Sequence, residues 1–267
     1  MRLQIRLKAT NKELSFNYNY PLFASIYSLL RLGSEEFSSF LHDKGYKIES
    51  KTYKLYTFAL RLENAVPLKD RFFLKSPFAD LFISSPKIEE FIQAFVMGSF
   101  EKQTISIIDG SIRTGFQINS VEVLPEPEFT SGMNFSLLSP MVISTVAESN
   151  EKLQQYYFRY YDDIAEINRV LTNNLINKYR ILNGKDTDGA VRLEWDQDYI
   201  KYQTGKGKKL TRKVTIHSHR HGATEVIGNV LPFRIEGSVD LIKTGYECGF
   251  GEKNSMGFGM AREVPSA

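Results

Sequence analysis

The feature that most restricts what this chain can fold into is a glycine-rich segment close to its carboxyl-terminal end. Residues 249–259 read GFGEKNSMGFG, so two GFG triplets flank five other residues. Glycine lacks a Cβ and tolerates positive φ, which allows tight turns and the close approach of another backbone. Successive amide groups in such a turn form a concavity that binds anions. The pattern therefore favours a ligand with phosphate groups, such as a nucleic acid.

The place of this segment in the chain excludes two nucleotide-binding motifs. A Rossmann fingerprint opens a βαβ unit, whereas residues 249–259 follow a predicted short helix and lie close to the last residue. A Walker loop ends in Gly-Lys-Ser/Thr, and that triplet does not occur in the sequence. A purely structural turn that leads into the last strand remains an open alternative.

Hydrophobic periodicity predicts the order β-α-β-β-α-β in the first half of the chain, which is a ferredoxin-like pattern. In a strand at 2–8, Leu3, Ile5 and Leu7 lie on one face. The other predicted elements are a helix that begins near Pro21, a short helix from an N-cap at Ser34 to Gly45, strands at 53–60 and 72–84, a helix from Pro86 to Gly98, and a strand at 112–123.

The second half repeats this order loosely. It follows the connector LPEPE at 124–128, which its prolines make stiff. The predicted elements are a strand at 135–144 that Pro140 interrupts, a helix with Ile164, Ile167, Leu171, Leu175 and Leu182 on one face, strands near 190–202, 209–217 and 226–236, a helix at 238–247, and a strand at 258–264. We therefore expect an α+β protein of two tandem ferredoxin-like domains, at 1–124 and 129–267.

Composition limits where such a protein can bind nucleic acid and where it resides. The formal net charge is only +3, so a surface for nucleic acid must be local. The single cysteine, Cys248, excludes an internal disulfide and favours a reducing compartment. The first residues alternate like a strand, unlike a signal peptide, and no apolar stretch is long enough to span a bilayer. We expect a cytoplasmic protein with no membrane partner.

Two segments resemble those of a known family. Residues 249–259 match the G-x-G-x5-G-x-G signature of the CRISPR repeat-RNA endoribonucleases, the Cas-six family of RAMP proteins. The region from Tyr27 to LHDKG at 41–45 is similar to that family's active-site region. The resemblance implies cleavage of CRISPR repeat RNA without metal or cofactor, leaving a 5′-hydroxyl and a 2′,3′-cyclic phosphate. Association with effector-complex subunits or as a homodimer stays open.

His42 is the residue that the resemblance assigns to proton transfer. An α-helical period places it beside the stripe of Phe37, Phe40 and Leu41, which disfavours a core histidine. The helix carboxyl terminus and Asp43 favour the imidazolium form, which can protonate a leaving oxygen near neutral pH. From the residues alone, an exposed surface histidine is the simpler interpretation.

A tyrosine and a lysine complete the site that we expect. Tyr27 would orient the ribose 2′-hydroxyl, although a tyrosine at the rim of the core is an equally open interpretation. A lysine would stabilise the charge that develops on the phosphorane. We expect Lys54, because the family's lysine often opens the next strand and residues 54–58 read as such a start. The other candidates are Lys44, Lys47 and Lys51, of which Lys51 stays the main alternative.

Two segments are candidates for contacts with RNA. In the glycine-rich segment they are Gly249, Gly251, Lys253, Asn254, Ser255, Gly257 and Gly259. The second segment is a basic run, expected at a hairpin tip, that consists of Lys206, Lys208, Lys209, Arg212 and Lys213. Such contacts position RNA without reading its sequence. A solvated hairpin is the alternative for the basic run.

His217, His219 and His221 share one face of a predicted strand and raise the alternative of a zinc site. The outer two Cα atoms would be about 13 Å apart, which is hard to reconcile with three zinc–nitrogen bonds of about 2 Å. We therefore expect no metal, and a polar strand end instead. Two rival functions remain: a RAMP subunit that binds guide RNA without cutting it, and a metal-dependent hydrolase that uses these histidines.

Overall fold

The computed structural model describes residues 1–48, 51–86, 88–149, 152–216 and 222–265; the side chains of His42, residues 88–92, Ser149 and Lys152 lie outside this description. The chain divides into two compact units. The first comprises Met1–Lys54, Phe58–Glu126 and Val214–Glu225, and the second comprises Leu55–Thr57, Pro127–Lys213 and Val226–Ala267.

The first half of the chain contains the elements expected of one ferredoxin-like unit, together with additional short strands. In order they are β1 (Arg2–Ala9), β2 (Glu13–Ser15), α1 (Asn19–Gly33), α2 (Glu35–Ser39), a π-helix (Phe40–Lys44), β3 (Tyr46–Ile48), β4 (Lys51–Tyr53), β5 (Thr57–Leu62), β6 (Ala65–Leu68), β7 (Arg71–Leu74), β8 (Phe78–Ser84), α3 (Ile88–Lys102), β9 (Thr104–Asp109) and β10 (Ile112–Leu124).

The central sheet of this half has the strand order β5-β8-β1-β10-β9. Strand β1 lies in the middle and pairs antiparallel with β8 and β10, so that Ile5 is opposite Leu81 and Val121. The side chains of Leu3 and Leu7 are buried, as the alternation predicts. Omitting the edge strand β9, the order along the chain is β1-α1-β5-β8-α3-β10. This is the predicted ferredoxin-like arrangement.

Helices α1 and α3 pack against each other at unusually short range. A Cβ at Gly33 would lie 1.8 Å from the carbonyl oxygen of Ala94, and a Cβ at Gly98 would lie 1.9 Å from that of Leu29. Each helix therefore uses a glycine where the backbone of the other passes. The close approach fixes the position of α1, which carries Tyr27.

The second half contains a further set of elements. In order they are β11 (Gly132–Leu137), β12 (Ser144–Ser149), β13 (Lys152–Tyr157), α4 (Ile164–Asn183), β14 (Val191–Trp195), α5 (Gln197–Gly205), β15 (Thr211–Ile216), β16 (Thr224–Asn229), β17 (Phe233–Gly237), α6 (Val239–Cys248), a 3-10 helix (Asn254–Met256) and β18 (Ala261–Glu263).

The sheet of the second half repeats the topology of the first. Its strand order is β14-β17-β11-β18, and the order along the chain is β11-α4-β14-β17-α6-β18. The position taken by β1 in the first sheet is therefore taken by β11 in the second. The prediction of two ferredoxin-like folds is confirmed, with the hairpins β12–β13 and β15–β16 as insertions.

The glycine-rich segment contributes a side chain to the core of this second fold. Phe250 is fully buried. Its ring centroid lies 5.4 Å from that of Phe135 on β11 and 5.3 Å from that of Phe233 on β17. Contacts between aromatic rings at such distances add to the stabilisation that burial provides. The segment is thus anchored in the core by its first phenylalanine.

Several predicted strands differ in extent from the structure; the strand expected at 135–144, for example, ends at Leu137. The strand expected at 190–202 ends at Trp195, because Asp196 accepts a hydrogen bond from the amide of Tyr199 at 2.8 Å and caps helix α5. The strand expected at 226–236 is divided into β16 and β17 before Phe233. The strand expected at 72–84 is divided near Pro77, which has no amide hydrogen to donate to a sheet.

Among the described residues, no helix is both long enough and apolar enough to cross a bilayer.

We predict that Gly98→Ala lowers the unfolding free energy of the first unit by at least about 2 kcal/mol, because the new methyl group would overlap the Leu29 carbonyl oxygen. Chemical denaturation monitored by circular dichroism measures the effect. Met97→Ala is the matched control, since Met97 is the preceding residue of the same helix and is 62% exposed. Equal stability of the two variants would contradict the close packing of α1 and α3.

Candidate functional site

Tyr27 lines a cavity in the first unit. The cavity has a volume of about 400 Å³ and is lined by α1, α2 and the π-helix. Its lining residues are Tyr20, Phe23, Ala24, Tyr27, Ser28, Arg31, Ser38, Ser39 and Asp43. Tyr27 is only 7% exposed, and its ring packs against that of Phe23 with a centroid distance of 4.7 Å. This tyrosine is therefore held in one orientation by the core of the first unit.

Lys54 also contacts the ring of Tyr27. It follows β4 and is half-buried. Its Nζ lies 5.1 Å from the ring centroid of Tyr27 and 5.7 Å from that of Phe23, distances typical of cation–π contacts. Burial lowers the pKa of Lys54, and the nearby Asp43 carboxylate offsets part of this shift. The structure thus places a partly desolvated amine against the predicted tyrosine.

The backbone around Lys54 differs from the prediction. Lys54 precedes a strand that begins only at Thr57, whereas we expected the strand to begin at Lys54 itself. Leu55 has φ +51°, a conformation that is uncommon for residues other than glycine and clusters at functional sites. This turn interrupts the extended chain directly after the lysine.

The other candidate lysines have a different environment. Lys44, Lys47 and Lys51 are exposed, whereas Lys54 is half-buried. A charge stabilises a developing anion more strongly where water is excluded. Burial therefore favours Lys54 within the group of candidates.

His42 belongs to the π-helix at Phe40–Lys44, and its side chain lies outside the described part of the structure. The amide of Gly45 donates to the carbonyl oxygen of Phe40 at 2.7 Å, five residues back. The Ser34 cap of the preceding α2 is present, since its Oγ accepts from the amide of Phe37 at 3.2 Å. The assumption of an uninterrupted α-helical period around His42 is wrong. Such π-helical turns occur frequently at functional sites.

The glycine-rich segment adopts the left-handed backbone that its composition predicts. Gly249, Gly251, Gly257 and Gly259 all have φ between +74° and +91°. A Cβ at Gly251 would lie 2.2 Å from the carbonyl oxygen of Val142, and one at Gly259 would lie 1.9 Å from that of Phe250. Both backbone conformation and close approach therefore require glycine here.

Several amides of this segment bind protein carbonyl groups. The amide of Phe250 donates to the carbonyl oxygen of Gly259, that of Glu252 to Val142, and that of Gly259 to Pro140, all at 2.8 Å. The side chains of Lys253 and Ser255 are half-buried at the turn. These hydrogen bonds to the segment itself and to neighbouring parts of the protein fix the shape of the glycine-rich segment.

Lys178 is a buried residue that the sequence-based prediction missed. It lies on α4 and is 2% exposed. Its Nζ donates to the carbonyl oxygens of Gly249 and Gly251, both at 2.7 Å, and to Oδ1 of Asn254 at 2.8 Å. Three short bonds use all three hydrogens of an ammonium group. Burial lowers the pKa of Lys178 to about 8, so the charged form predominates at neutral pH.

Asn254 completes the internal network of the segment. Its side chain is buried, accepts from Lys178, and donates through Nδ2 to the carbonyl oxygens of Phe250 at 3.3 Å and Phe258 at 3.0 Å. Thr57 Oγ1 also donates to the carbonyl oxygen of Phe258 at 2.9 Å. The described contacts of Asn254 thus lie within the protein. Its predicted contact with RNA stays a prediction.

The basic run lies in a different element from the one predicted. Lys206, Lys208 and Lys209 occupy the connection between α5 and β15, not a hairpin tip, because residues 197–205 are helical. All three are exposed. Arg212 and Lys213 lie within β15. Lys206, Lys208 and Lys209 lie on the surface of the second unit.

The metal hypothesis concerns residues outside the described ranges. His217, His219 and His221 are not among the described residues. In the part of the chain that the structure does describe, no group of three histidine, cysteine or acidic side chains is placed to hold a metal ion.

We predict that Lys178→Met lowers the unfolding free energy of the second unit by about 2–5 kcal/mol, since it leaves three buried oxygen acceptors without their donor. Denaturation measures the loss, and Lys185→Met is the control because Lys185 is exposed after the same helix. The difference between wild type and Lys178→Met should increase with pH above about 8. The unfolded lysine keeps its proton to higher pH than the folded one, so stability rises with pH in this range. A pH-independent difference would contradict the assignment.

Comparison with known proteins identifies a matching family model and several relatives of this chain. The family model described as "CRISPR associated protein Cas6, C-terminal" matches residues 124–263, which include the second sheet and the glycine-rich segment. The CRISPR-associated endoribonuclease Cas6 1 of Methanocaldococcus jannaschii is 30% identical, over 99% of this chain and 93% of the relative. A putative CRISPR-associated endoribonuclease-like protein Cas6 of Pyrococcus furiosus is 28% identical, over 99% of each chain.

A solved structure shares the fold over the whole chain. It is described as "An RAMP protein binding different RNA substrates", with a TM-score of 0.79 and 24% identity, over 99% of this chain and 100% of the other. That structure shows the fold alone. The match of the family model and the relative from Methanocaldococcus jannaschii show that the chain belongs to the Cas6 family of CRISPR-associated proteins.

Proposed function

We propose that this chain is a metal-independent endoribonuclease that cleaves CRISPR repeat transcripts into guide RNAs. The relative from Methanocaldococcus jannaschii carries the name of an endoribonuclease. The single observation that carries the proposal is the contact of half-buried Lys54 with Tyr27, which lines a cavity that is also lined by the π-helix of His42.

The proposed reaction is an intramolecular transfer. The ribose 2′-hydroxyl loses its proton as its oxygen forms a bond to the adjacent phosphorus, the bond from phosphorus to the 5′-oxygen breaks, and a proton goes to that leaving oxygen. The products are a 2′,3′-cyclic phosphate and a 5′-hydroxyl. Because the nucleophile is tethered beside the phosphate, the reaction gains from proximity. His42 donates the proton to the leaving 5′-oxygen or accepts the proton of the 2′-hydroxyl, and Tyr27 orients the 2′-hydroxyl.

Lys54 stabilises the negative charge of the phosphorane in this scheme. Its amine is partly withdrawn from water, and the lowered pKa reflects the same desolvation. An interaction between two charges is several times stronger in a partly buried site than in water. A cation held near Tyr27 is therefore suited to act on a phosphate whose ribose contacts that tyrosine.

RNA binding is assigned to the glycine-rich segment and the basic run. The segment has a backbone fixed by Lys178 and core-anchored Phe250, and it presents Lys253 and Ser255 at its turn. The basic run adds exposed lysines for phosphate contacts. These features support CRISPR repeat RNA as the partner.

A second candidate function is the binding of guide RNA without cleavage. One relative of 28% identity is named only as a putative endoribonuclease-like protein, and RNA binding would need the glycine-rich segment but not Lys54. The half-buried position of Lys54 against Tyr27 favours the enzyme. Burying an amine costs free energy, and catalysis gives a reason for this cost that RNA binding alone does not.

We predict that the protein cleaves its cognate repeat RNA in the presence of EDTA. His42→Ala should reduce the rate by at least about 100-fold, which is the usual contribution of a general acid or base. A 2′-deoxy nucleotide at the cleaved bond should abolish the reaction, since it removes the nucleophile. Tight binding without cleavage would favour the non-catalytic alternative, and activity restored only by zinc would favour the metal-dependent hydrolase.

A second prediction separates the candidate lysines. Lys54→Met should lower kcat by about 100-fold with a smaller change in KM, as expected for a group that stabilises the transition state. Lys51→Met is the matched control and should leave kcat near wild type. Because the pKa of Lys54 is lowered, activity should fall on the alkaline side below the usual lysine range, and Lys54→Arg should move that limb to higher pH. A larger loss in Lys51→Met would reverse the assignment.

A further inference from the structure

We propose that Tyr202, on helix α5, is the stacking platform of a second RNA subsite that holds one unpaired nucleotide. The proposal rests on RNA as the ligand of the proposed function and adds a contact outside the cavity of Tyr27. It concerns the described residues of α5 and of the connection to β15.

The first observation is an exposed aromatic ring. Tyr202 is 60% exposed, whereas Tyr199 and Ile200 of the same helix pack against the second core. Anchoring of α5 therefore does not require Tyr202. A large exposed aromatic surface is a common feature of binding sites, since its burial by a ligand is favourable.

The second observation is a cation on that ring. Nζ of Lys206 lies 3.8 Å from the ring centroid of Tyr202, and it donates a hydrogen bond to the phenolic oxygen. The lysine thus holds the ring in place from one side while the residue stays largely exposed. An ammonium group next to the ring also attracts the phosphate groups of a nucleic acid that binds there.

The third observation is the charge of the surrounding chain. Residues 199–224 contain seven lysine and arginine residues and no aspartate or glutamate. Lys201, Lys208 and Lys209 are exposed on either side of Lys206. A local surface of one sign of charge attracts a polyanion, although the whole chain carries a formal net charge of only +3.

Gly205, the last residue of α5, is an independent indication that a ligand binds at this surface. Apart from its chain neighbours and the backbone of its own helix, no described residue has a heavy atom within 4 Å of the position that a Cβ would take at Gly205. Its φ is also not in the positive range, unlike that of Gly207 at +70°. Neither packing nor backbone conformation therefore requires glycine at the end of α5, where alanine would favour the helix. Close approach of a ligand to the backbone gives a physical reason for it.

These features together match single-stranded nucleic acid. Such ligands bind to basic surfaces that carry aromatic side chains, on which bases stack with little preference for sequence. In duplex RNA the bases are stacked inside the helix, so the ring would act on an unpaired nucleotide. An acidic peptide would satisfy the lysines but would not explain the exposed ring or Gly205.

The test is binding of a single-stranded RNA that contains 2-aminopurine, whose fluorescence is quenched on stacking. The full chain carries His42→Ala to prevent cleavage. Tyr202→Ala should weaken binding by about 5- to 100-fold and abolish the quenching. Tyr202→Phe should retain both. Tyr161→Ala is the control, because Tyr161 is 67% exposed but lies outside the basic surface.

Two further variants make the outcome independent of folding defects. Gly205→Ala should raise the melting temperature, since it favours the helix, and yet weaken RNA binding. Lys206→Met should reduce the slope of log affinity against log salt concentration by about one. RNA affinity that is unchanged in Tyr202→Ala and in Gly205→Ala would overturn the proposal. Equal binding of polyglutamate, unaffected by Tyr202→Ala, would overturn it in favour of an acidic protein ligand.

The outcome is distinguishable from failure of the proposed function. A protein that never cleaves repeat RNA but binds it in a manner dependent on Tyr202 would refute the nuclease and retain the subsite. A protein that cleaves normally, with RNA binding independent of Tyr202, would refute the subsite alone.

Discussion

A buried ammonium group determines the shape of the most distinctive segment of this protein. Lys178 donates to the backbone on both sides of Phe250 and to Asn254, so that one charge fixes three points of the glycine-rich segment. Burying a charge is costly unless hydrogen bonds surround it. The glycines allow this arrangement, because their carbonyl groups can turn inwards where side chains would collide with Val142 and with Phe250. The buried position of Lys178, the glycine residues of the segment and the packing of the core therefore depend on one another.

Because Lys178 and the core hold the glycine-rich segment in place, it differs from a flexible phosphate-binding loop. A flexible phosphate-binding loop would present its amides to the ligand, whereas amides of Phe250, Glu252 and Gly259 bind protein carbonyl groups. A segment held in this way offers a ligand a surface of fixed shape, which lowers the entropy lost on binding. The candidate chemistry lies elsewhere in the chain, at Tyr27 and Lys54, and depends on the packing of α1 that Gly33 and Gly98 permit.

The sequence predicts the fold well where the periodicity of apolar residues is strong. The strand with Leu3, Ile5 and Leu7 and the helices α1, α4 and α6 follow directly from such patterns. The prediction was wrong at 197–205, where Asp196 is a capping residue that the strand assignment ignored. The hairpins β6–β7 and β12–β13 were missed because their short strands lack regular alternation.

The site was harder to predict than the fold, because burial depends on distant parts of the chain. Lys54 and Lys51 are equivalent in composition, and only packing against Phe23 and Tyr27 separates them. Lys178 did leave a signal: it lies seven residues after Leu171 and three after Leu175, on the apolar stripe of α4. A lysine on such a stripe needs buried acceptors, but the sequence does not say that Gly249 and Gly251 provide them.

Because residues Phe40–Lys44 form a π-helix, the side chains that line the cavity depend on the number of residues in this turn as well as on their identity. A π-helical turn contains one residue more than an α-helical turn, and each residue of an α-helix is rotated by about 100° from the one before it. Loss of a single residue here would convert the turn to α-helix and rotate Asp43, which lines the cavity, away from its present direction. Within this fold, a one-residue deletion that changes no side chain would therefore remodel the cavity as thoroughly as a substitution.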